Sequence, residues 1–166
     1  RNKKKANYLK KKFKKIIIAK DNQEVIDLSD WIFLGVLPRV GENILPKLKF
    51  KKNQTVVSFM STTNYSKLKR LIGKKANIVR AIPMPPIRLC KGPVAIFPPN
   101  KKIKNFFNNI GTTIEIKNEK LSKNFWAISG TMASFYELLN VLSNWLIRNK
   151  TNKLDAQKYV TSLYSA

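Results

Sequence analysis

The sequence predicts an α/β fold, in which a parallel sheet is wound with helices and a purely helical segment follows. Two observations predict it. Short apolar runs, which suit buried strands, alternate with helically spaced apolar residues through about residue 117. After Lys120 this alternation stops, and one long helical pattern takes over. The change of pattern predicts a domain boundary near residue 118.

The predicted sheet centres on residues 76–99. A strand predicted over Ile78–Ile82 runs into the prolines of residues 83–86, and a second strand, Pro93–Phe97, ends at two further prolines. Proline fixes φ and has no backbone N–H, so neither strand can continue past its prolines. A stiff loop therefore follows the first of these strands, at the end of the sheet where ligands bind in open α/β folds.

Apolar spacing predicts the remaining elements. Before the central stretch, helices are predicted over Lys3–Lys15, Asp21–Ser29, Gly41–Leu48 and Thr63–Ile72, and strands over Ile16–Ala19, Trp31–Leu37 and Thr55–Met60. After it, the pattern predicts a helix over Lys101–Ile110, a strand over Thr112–Lys117 and helices over Leu121–Asn149 and Asp155–Ala166. The last two helices are too few to bury their own apolar faces, so we expect them to pack on further chain or on a partner subunit.

Composition excludes several kinds of site. Cys90 is the only cysteine and there is no histidine, so a disulfide framework, a multi-cysteine metal site and histidine-based catalysis are excluded. No apolar run approaches the roughly 20 residues of a membrane span, and we expect a cytoplasmic protein with no membrane partner. The chain does not begin with Met and stops within an apolar helical pattern, so we expect a fragment or a processed chain.

The net charge of +24 admits two interpretations. Nine of the first fifteen residues are Lys or Arg, and no acid occurs between Asn43 and Ile114. Such a balance is typical of proteins that bind a polyanion such as nucleic acid. It also results from a compositional bias towards Lys, Asn and Ile. We favour the bias and do not expect a nucleic-acid partner, because the lysines fall within amphipathic elements. The charge still favours phosphorylated ligands.

The sequence contains no constellation of catalytic side chains. It has no glycine-rich phosphate loop, no Ser–His–Asp set and no paired carboxylates. Cys90 has the basic neighbours Arg88 and Lys91, which can activate a thiol, but a small residue at a strand edge is the simpler interpretation. Lys10–Lys15 could form a nucleic-acid face, yet Phe13 is better used as the core contact of its helix. An enzyme of this composition is possible if a cofactor carries the reaction.

The order of motifs resembles the pyrroline-5-carboxylate reductase family. The run NIVRAIPMPP from Asn77 is similar to the family's Arg–x–Met–Pro–Asn–x–Pro segment, and WIFLGVLP from Trp31 is similar to its strand ending in Val–Lys–Pro. TVVSFMS from Thr55 resembles its Ser–x–x–Ala–Gly strand. FFNNIGTTIEIKNEKLSKNFWAISGTMASFYELL from Phe106 resembles its Phe–x–x–x–Gly segment and the start of its dimerisation helix. The resemblance covers nearly the whole chain and indicates a divergent branch.

The resemblance implies a partial Rossmann-type NAD(P)-binding domain over residues 1–118 and the start of an all-helical dimerisation domain over residues 119–166. It implies an oxidoreductase that reduces a cyclic imine, pyrroline-5-carboxylate, to proline with NADPH, NAD being the other candidate cofactor. It also implies a homodimer or higher homo-oligomer through the C-terminal helices. The family's glycine-rich phosphate turn and C-terminal substrate loop have no counterpart, so we expect the fragment to be inactive as it stands.

The same resemblance assigns site residues. The 2′-phosphate of NADP is implied to bind at the residues that follow the family's second strand, here Arg1, Asn2 and Lys3. Further cofactor contacts are implied for Val36, Leu37, Pro38, Pro83 and Met84, and substrate contacts for Ser129, Gly130 and Thr131. No catalytic side chain and no metal ligand is assigned. Leu37 replaces the family's Lys and Met84 replaces its Asn, which leaves the identity of the imine open.

The alternative hypothesis is a basic module that catalyses no reaction and binds nucleic acid or another polyanion. Under it, binding should depend steeply on salt. Substitutions within Lys10–Lys15 should then weaken binding, whereas substitution of Arg1 should matter only to the enzyme.

Overall fold

The computed structural model describes residues 2–165 and confirms the α/β fold class. The chain divides into two compact units, residues 1–119 and residues 120–166. The first unit contains a five-stranded sheet whose strands lie side by side in chain order. These strands are β1 Trp31–Leu34, β2 Thr55–Ser58, β3 Asn77–Pro83, β4 Pro93–Phe97 and β5 Thr112–Glu115.

Eight α-helices occur within residues 2–165. Those of the first unit are α1 Lys3–Lys12, α2 Asn22–Asp27, α3 Pro38–Ile44, α4 Tyr65–Ile72 and α5 Lys101–Asn108. Those of the second unit are α6 Ser122–Gly130, α7 Met132–Arg148 and α8 Lys153–Leu163. Short 3₁₀ turns occupy Leu45–Lys47, Pro85–Leu89 and Glu119–Leu121.

Asparagine begins four of these helices. The side-chain oxygens of Asn2, Asn64, Asn100 and Asn152 accept backbone N–H groups in the first turns of α1, α4, α5 and α8. The first N–H groups of a helix have no partner within it, and an N-cap side chain satisfies one of them. Part of the high asparagine content therefore has a structural use.

The sheet is mixed, and the expectation of a parallel sheet is wrong for one pair of strands. β1–β2, β2–β3 and β4–β5 are parallel, but β3 and β4 are antiparallel. Parallel neighbours need a crossover connection, usually a helix, whereas antiparallel neighbours need only a short one. The chain between β3 and β4 contains only the 3₁₀ turn Pro85–Leu89, so β4 has to run back along β3.

The strand predicted over Ile16–Ala19 is not formed. The run has no regular secondary structure, and its Ile17 side chain is 79% exposed. An extended segment becomes a strand only when a neighbouring backbone completes its hydrogen bonds. Within residues 2–165 no strand pairs with this run. An apolar sequence by itself does not provide the neighbouring strand.

The two faces of the sheet pack against different helices. Side chains alternate along a strand, so Val56 and Val57 of β2 point to opposite faces. One core cluster joins β1–β3 to α2 and α4 and consists of Ile26, Ile32, Leu34, Leu45, Phe50, Val56, Met60, Leu68, Ile72 and Ile78. The other joins β2–β4 to α5 and consists of Val57, Val79, Ala81, Val94, Ile96, Ile103 and Phe107. Burial of both faces explains why adjacent residues of β2 and β3, Val56–Val57 and Ile78–Val79, are all apolar.

The second unit is helical, but its first helix is shorter than predicted. The single helix expected over Leu121–Asn149 is two helices, which meet at Thr131. There the Thr131 N–H and its Oγ1 both donate to the Ile128 carbonyl, at 3.0 Å and 2.7 Å. This local bonding closes α6, and the preceding Gly130 has low helix propensity. In the chain described, no helix combines the length and apolar character that a membrane crossing requires.

Candidate functional site

The carboxyl end of the sheet is formed by the segments that follow β1, β2 and β3, residues 35–38, 59–63 and 84–92. Because these three strands are parallel, their last residues meet at one end of the sheet. β3 continues past Ser58, the last residue of β2, and its Pro83 lies opposite Val94 of β4. Ligands of open α/β folds bind at this end.

In the turn after β1, one apolar side chain packs into the core and the next is exposed. Val36 packs against the first core cluster, whereas Leu37 is 74% exposed. Pro38 begins α3, at a position where a helix needs no N–H. A Cβ at Gly41 would lie 2.7 Å from Met60 Sδ and Cε, so glycine allows α3 to sit directly on the chain that follows β2.

The turn after β3 is stiffened by backbone contacts. Met84 is half-buried, and its N–H donates to the Pro93 carbonyl at 3.3 Å. Cys90 ends the following 3₁₀ turn with a φ of 56°, and Gly92 has a φ of 89°. A Cβ at Gly92 would also lie 3.2 Å from Pro86. Both the positive φ and this close approach therefore require glycine at the point where the chain reverses. The prolines thus build a rigid loop rather than a mere strand end.

The loop after β2 contains a residue that the sequence did not single out. Thr63 is 2% exposed, and its Oγ1 has no hydrogen-bond partner among the described residues. Buried hydroxyl groups normally have a partner. Ser58, at the end of β2, is 1% exposed, and its Oγ accepts the Met60 N–H at 3.3 Å. The only signal in the sequence was the run of three hydroxyl residues between a strand and an N-cap asparagine.

A buried ion pair holds this loop. Arg80 in β3 is 3% exposed; its Nη1 donates to Glu119 Oε1 at 2.5 Å and its Nη2 to the Ser61 carbonyl at 2.8 Å. The same Glu119 oxygen accepts the Tyr65 N–H, at the start of α4, at 2.7 Å. Burial, followed by the nearby Glu119 carboxylate, raises the pKa of the Tyr65 phenol. Arg80 therefore connects β3, the loop after β2 and the start of α4.

The structure brings five of the predicted cofactor residues to this end of the sheet. Val36, Leu37 and Pro38 follow β1, and Pro83 and Met84 end and follow β3. Since β2 lies between them, the two turns are separated by two strand spacings, about 10 Å. Their contacts with a cofactor stay predictions.

The other predicted residues lie elsewhere. Arg1 lies outside the described residues. Asn2 uses Oδ1 to cap α1, accepting the Lys5 N–H at 3.0 Å, and Lys3 is exposed in the first turn. Ser129, Gly130 and Thr131 belong to the second unit, where Ser129 Oγ donates to the Phe125 carbonyl at 2.8 Å. The hydroxyl protons of Ser129 and Thr131 are donated to carbonyl groups of α6. A ligand could therefore hydrogen-bond only to the lone pairs of these two hydroxyl oxygens.

The chemistry that this arrangement can perform is binding and orientation. Within residues 2–165 no group of three or more acidic or cysteine side chains could hold a metal ion. The turns at the carboxyl end present apolar side chains, hydroxyl groups and backbone polar atoms. The sequence predicted no pair of ionisable side chains at the carboxyl end that could exchange protons with a ligand. A reaction at this end would have to be supplied by a bound cofactor.

Sequence comparison finds similarity to oxidoreductases. A sequence model of the family described as "NADP oxidoreductase coenzyme F420-dependent" matches residues 1–62. The pyrroline-5-carboxylate reductase of Aquifex aeolicus is 28% identical over 127 residues, which cover 72% of this chain and 47% of that protein. The chain spans about half the length of the curated relatives that it matches.

Solved structures share the fold. The pyrroline-5-carboxylate reductase of Streptococcus pyogenes superposes with a TM-score of 0.83 at 20% identity, over 98% of this chain and 64% of its own. The Plasmodium falciparum pyrroline carboxylate reductase, solved with NADP bound, gives 0.78 at 22% identity, over 89% of this chain and 59% of its own. At these identities the likeness shows the fold. The sequence matches confirm the predicted resemblance: the chain is similar in sequence to pyrroline-5-carboxylate reductases.

Proposed function

We propose that the protein containing this chain reduces a cyclic imine with NADPH, and that pyrroline-5-carboxylate is the imine to test first. The observation that carries the proposal is the pair of apolar turns, residues 36–38 and 83–84, at the carboxyl end of the sheet. A dinucleotide cofactor binds across that end in this class of fold. The relationship to pyrroline-5-carboxylate reductases supports the choice of reaction.

The side chains at the two turns fit a nicotinamide ring. Leu37 offers an exposed apolar surface after β1, and the half-buried Pro83 and Met84 offer a second one after β3. Arg1, Asn2 and Lys3 are proposed to hold the 2′-phosphate of NADP. The first turn of α1 contains no acid that would repel a phosphate, which supports this assignment. NAD is the alternative cofactor, and its binding is to be compared with that of NADP.

The proposed roles of this chain are to bind, orient and exclude water. When bound, NADPH supplies the hydride that the imine carbon receives. Leu37, Pro83 and Met84 provide an apolar wall that keeps water from the reacting atoms. Val36 packs in the core and fixes the turn that presents Leu37. No side chain of the carboxyl end is assigned as an acid or a base.

The second unit is proposed to contact substrate and to form the subunit interface. Ser129, Gly130 and Thr131 are proposed to contact substrate at the junction of α6 and α7. Residues 120–166 are proposed to be part of a helical dimerisation domain, and residues 1–119 part of the dinucleotide-binding domain. Exposed apolar side chains on α7 support a homodimer, among them Trp145 at 62% and Val141 at 54% exposed. A cytoplasmic location is part of the proposal.

Cofactor binding is tested first, with the longest product of the gene that contains this chain, because the chain itself contains no glycine-rich phosphate loop. NADPH and NADH would each be titrated into the protein while tryptophan fluorescence is followed. We expect NADPH to bind more tightly, and Leu37→Asp to weaken it on the order of tenfold, because the ring would have to pack on a charged group. Leu28→Asp is the matched control, since Leu28 is 66% exposed and lies beyond α2, away from these turns.

The reaction is tested separately, with the longest product of the gene that contains this chain. NADPH oxidation would be followed after pyrroline-5-carboxylate is added. Equal effects of the two leucine substitutions, or no binding of either cofactor, would contradict the assigned site. Tight NADPH binding without oxidation by any cyclic imine would contradict the proposed substrate class alone.

A further inference from the structure

The amino end of the sheet carries a concentration of lysines. β1, β2 and β3 begin at this end, and β4 and β5, which run the other way, finish there. We define the amino end as residues 30–31, 51–55, 73–77, 98–102 and 116–117. Its seven lysines are Lys51, Lys52, Lys74, Lys75, Lys101, Lys102 and Lys117. Three asparagines, Asn53, Asn77 and Asn100, alternate with them along the strand ends.

Only one of these seven lysines forms an ion pair among the described residues. Lys51 forms an exposed pair with Asp27 at 3.4 Å. Among the described residues, none of the other six has an acidic partner within 4.0 Å. The Glu115 carboxylate, at the end of β5, is bonded instead to Lys104 Nζ at 3.0 Å and to the Asn100 N–H at 3.1 Å. Asp30 is the one acid that lines the cavity described next.

A cavity of about 790 Å³ opens among these strand ends. It is lined by Asp30, Trp31, Asn53, Thr55, Asn77, Asn100, Lys101 and Lys102. The Trp31 ring is held by Phe106, edge to face at 5.7 Å between centroids, and by Phe33 at 6.4 Å. Volumes of this order are typical of ligand sites. The cavity therefore combines an oriented aromatic ring, amide side chains and cationic groups.

Folding alone does not account for two of these lysines. Lys101 and Lys102 form the first turn of α5, which contains no acid. The positive end of a helix favours acidic residues there and disfavours cations. Two lysines at this position raise the positive potential of the cavity at the expense of helix stability. A negatively charged ligand would relieve the repulsion.

We propose that the amino end of the sheet binds single-stranded nucleic acid, with phosphates on the lysines and one base against Trp31. The row of strand ends is about 19 Å long at the usual strand spacing, which suits a linear polyanion better than one phosphate. Amide side chains can hydrogen-bond base edges, and an aromatic ring in a basic groove is how single strands are commonly held. An anionic membrane is disfavoured, because Trp31 is half-buried and lines a cavity, so it does not project from the surface.

The proposal is tested by fluorescence anisotropy of a labelled oligouridylate titrated with the full chain at several salt concentrations. The dissociation constant should rise with salt, with a log–log slope of about 0.7 for each phosphate contact. Lys101→Glu/Lys102→Glu should weaken binding at least about tenfold and lower the slope. The variant should still fold, since acids suit the start of α5. Lys10→Gln/Lys11→Gln, on α1, should have a much smaller effect.

Three outcomes would overturn the proposal. The first is no binding of the oligonucleotide at low salt. The second is a loss of binding in the Lys10/Lys11 variant but not in the Lys101/Lys102 variant, which would move the site to α1. The third is binding to vesicles of anionic phospholipid, abolished by Lys101→Glu/Lys102→Glu, without binding of the oligonucleotide. A matched duplex should bind less tightly, because its bases cannot reach Trp31.

Discussion

The two ends of the sheet differ in chemistry although the same five strands build both. At the carboxyl end the loops carry prolines, glycines and hydroxyl residues, with Arg88 and Lys91 as their basic residues. At the amino end shorter segments carry seven lysines and three asparagines. A general bias towards lysine would place it at both ends. This contrast is what the proposed cofactor site at the carboxyl end and the proposed polyanion site at the amino end would each require.

The ends also differ in how they are held. The carboxyl end is fixed by buried contacts, the Arg80–Glu119 pair and the close packing of Gly41 on Met60. The amino end is bordered by exposed pairs, such as Lys51–Asp27. Exposed pairs contribute little to stability, whereas an unpaired buried charge is costly. Substitutions at the carboxyl end should therefore affect folding more than substitutions at the amino end.

The largest effect is expected for Glu119→Ala, which leaves the Arg80 guanidinium buried without its carboxylate. We expect the free energy of unfolding to fall by about 3 kcal/mol, measured by urea denaturation. NADPH affinity should fall with it, because Arg80 also holds the Ser61 loop, while oligonucleotide binding should not change. The control is Glu42→Ala, whose exposed pair with Lys67 should contribute about 1 kcal/mol or less. Equal losses in the two variants would show that the Arg80–Glu119 pair contributes no more than an exposed ion pair.

A smaller effect is expected for Gly111→Ala, just before β5 at the carboxyl end. The added Cβ would lie 2.7 Å from the Gly92 carbonyl oxygen, a backbone atom that cannot move aside cheaply. We expect a loss of about 2 kcal/mol, within the usual range for overpacking. Gly35→Ala, at the same end after β1, is the control, since its Cβ would meet nothing within 4 Å. Thermal unfolding of both variants measures the difference, and a neutral Gly111→Ala would contradict the close packing.

A gain in stability is expected at the amino end. Lys101→Glu/Lys102→Glu places acids in the first turn of α5, where the helix dipole favours them, and should stabilise the chain by about 1 kcal/mol. The same change at Lys11 and Lys12, in the last turn of α1, should destabilise it, because cations are favoured there. Urea denaturation at low salt compares the two. If both variants lost stability, the lysines of α5 would have a structural role.

The smallest effect is a pH dependence at Tyr65. Its pKa is raised above 10.0, so the folded protein keeps the phenolic proton at pH values where the unfolded chain has lost it. The contribution of Tyr65 is therefore complete below about pH 10 and is lost as the pH rises through the folded-state pKa. Tyr65→Phe should lose less stability than the parent over that range, as measured by urea denaturation at increasing pH. Parallel curves for the two proteins would contradict the shift.

Two elements that are bounded by proline or glycine were predicted well. The strand predicted over Pro93–Phe97 is β4. Prolines lie before and after this segment, and they prevent the strand from being longer. The helix expected to end at Gly73 is α4, and Gly73 follows it with a φ of 87°. Local rules decide such boundaries, since the missing N–H of proline and the freedom of glycine act on the chain itself.

Elements that depend on a partner were predicted less well. Ile16–Ala19 has the composition of a buried strand but belongs to no strand in the part of the chain that the structure describes. Whether β4 runs parallel or antiparallel depends on which neighbouring strand its backbone pairs with. At the candidate site, the turns at Leu37 and Met84 could be named from motifs, but the partnerless hydroxyl of Thr63 could not. Whether a hydroxyl group finds a partner depends on residues that are distant in the sequence.

The sequence by itself determined the α/β class, the order of most elements, the apolar stripes of the helices and the excess of positive charge. All of these depend on residue type and local spacing. Only the tertiary structure decided that Arg80 meets Glu119, and that lysines from residues 51–52, 74–75 and 101–102 gather at one end of the sheet. The physical reason is strand direction. Hydrogen bonding between distant segments sets which ends of the strands lie together, and no local pattern contains that information.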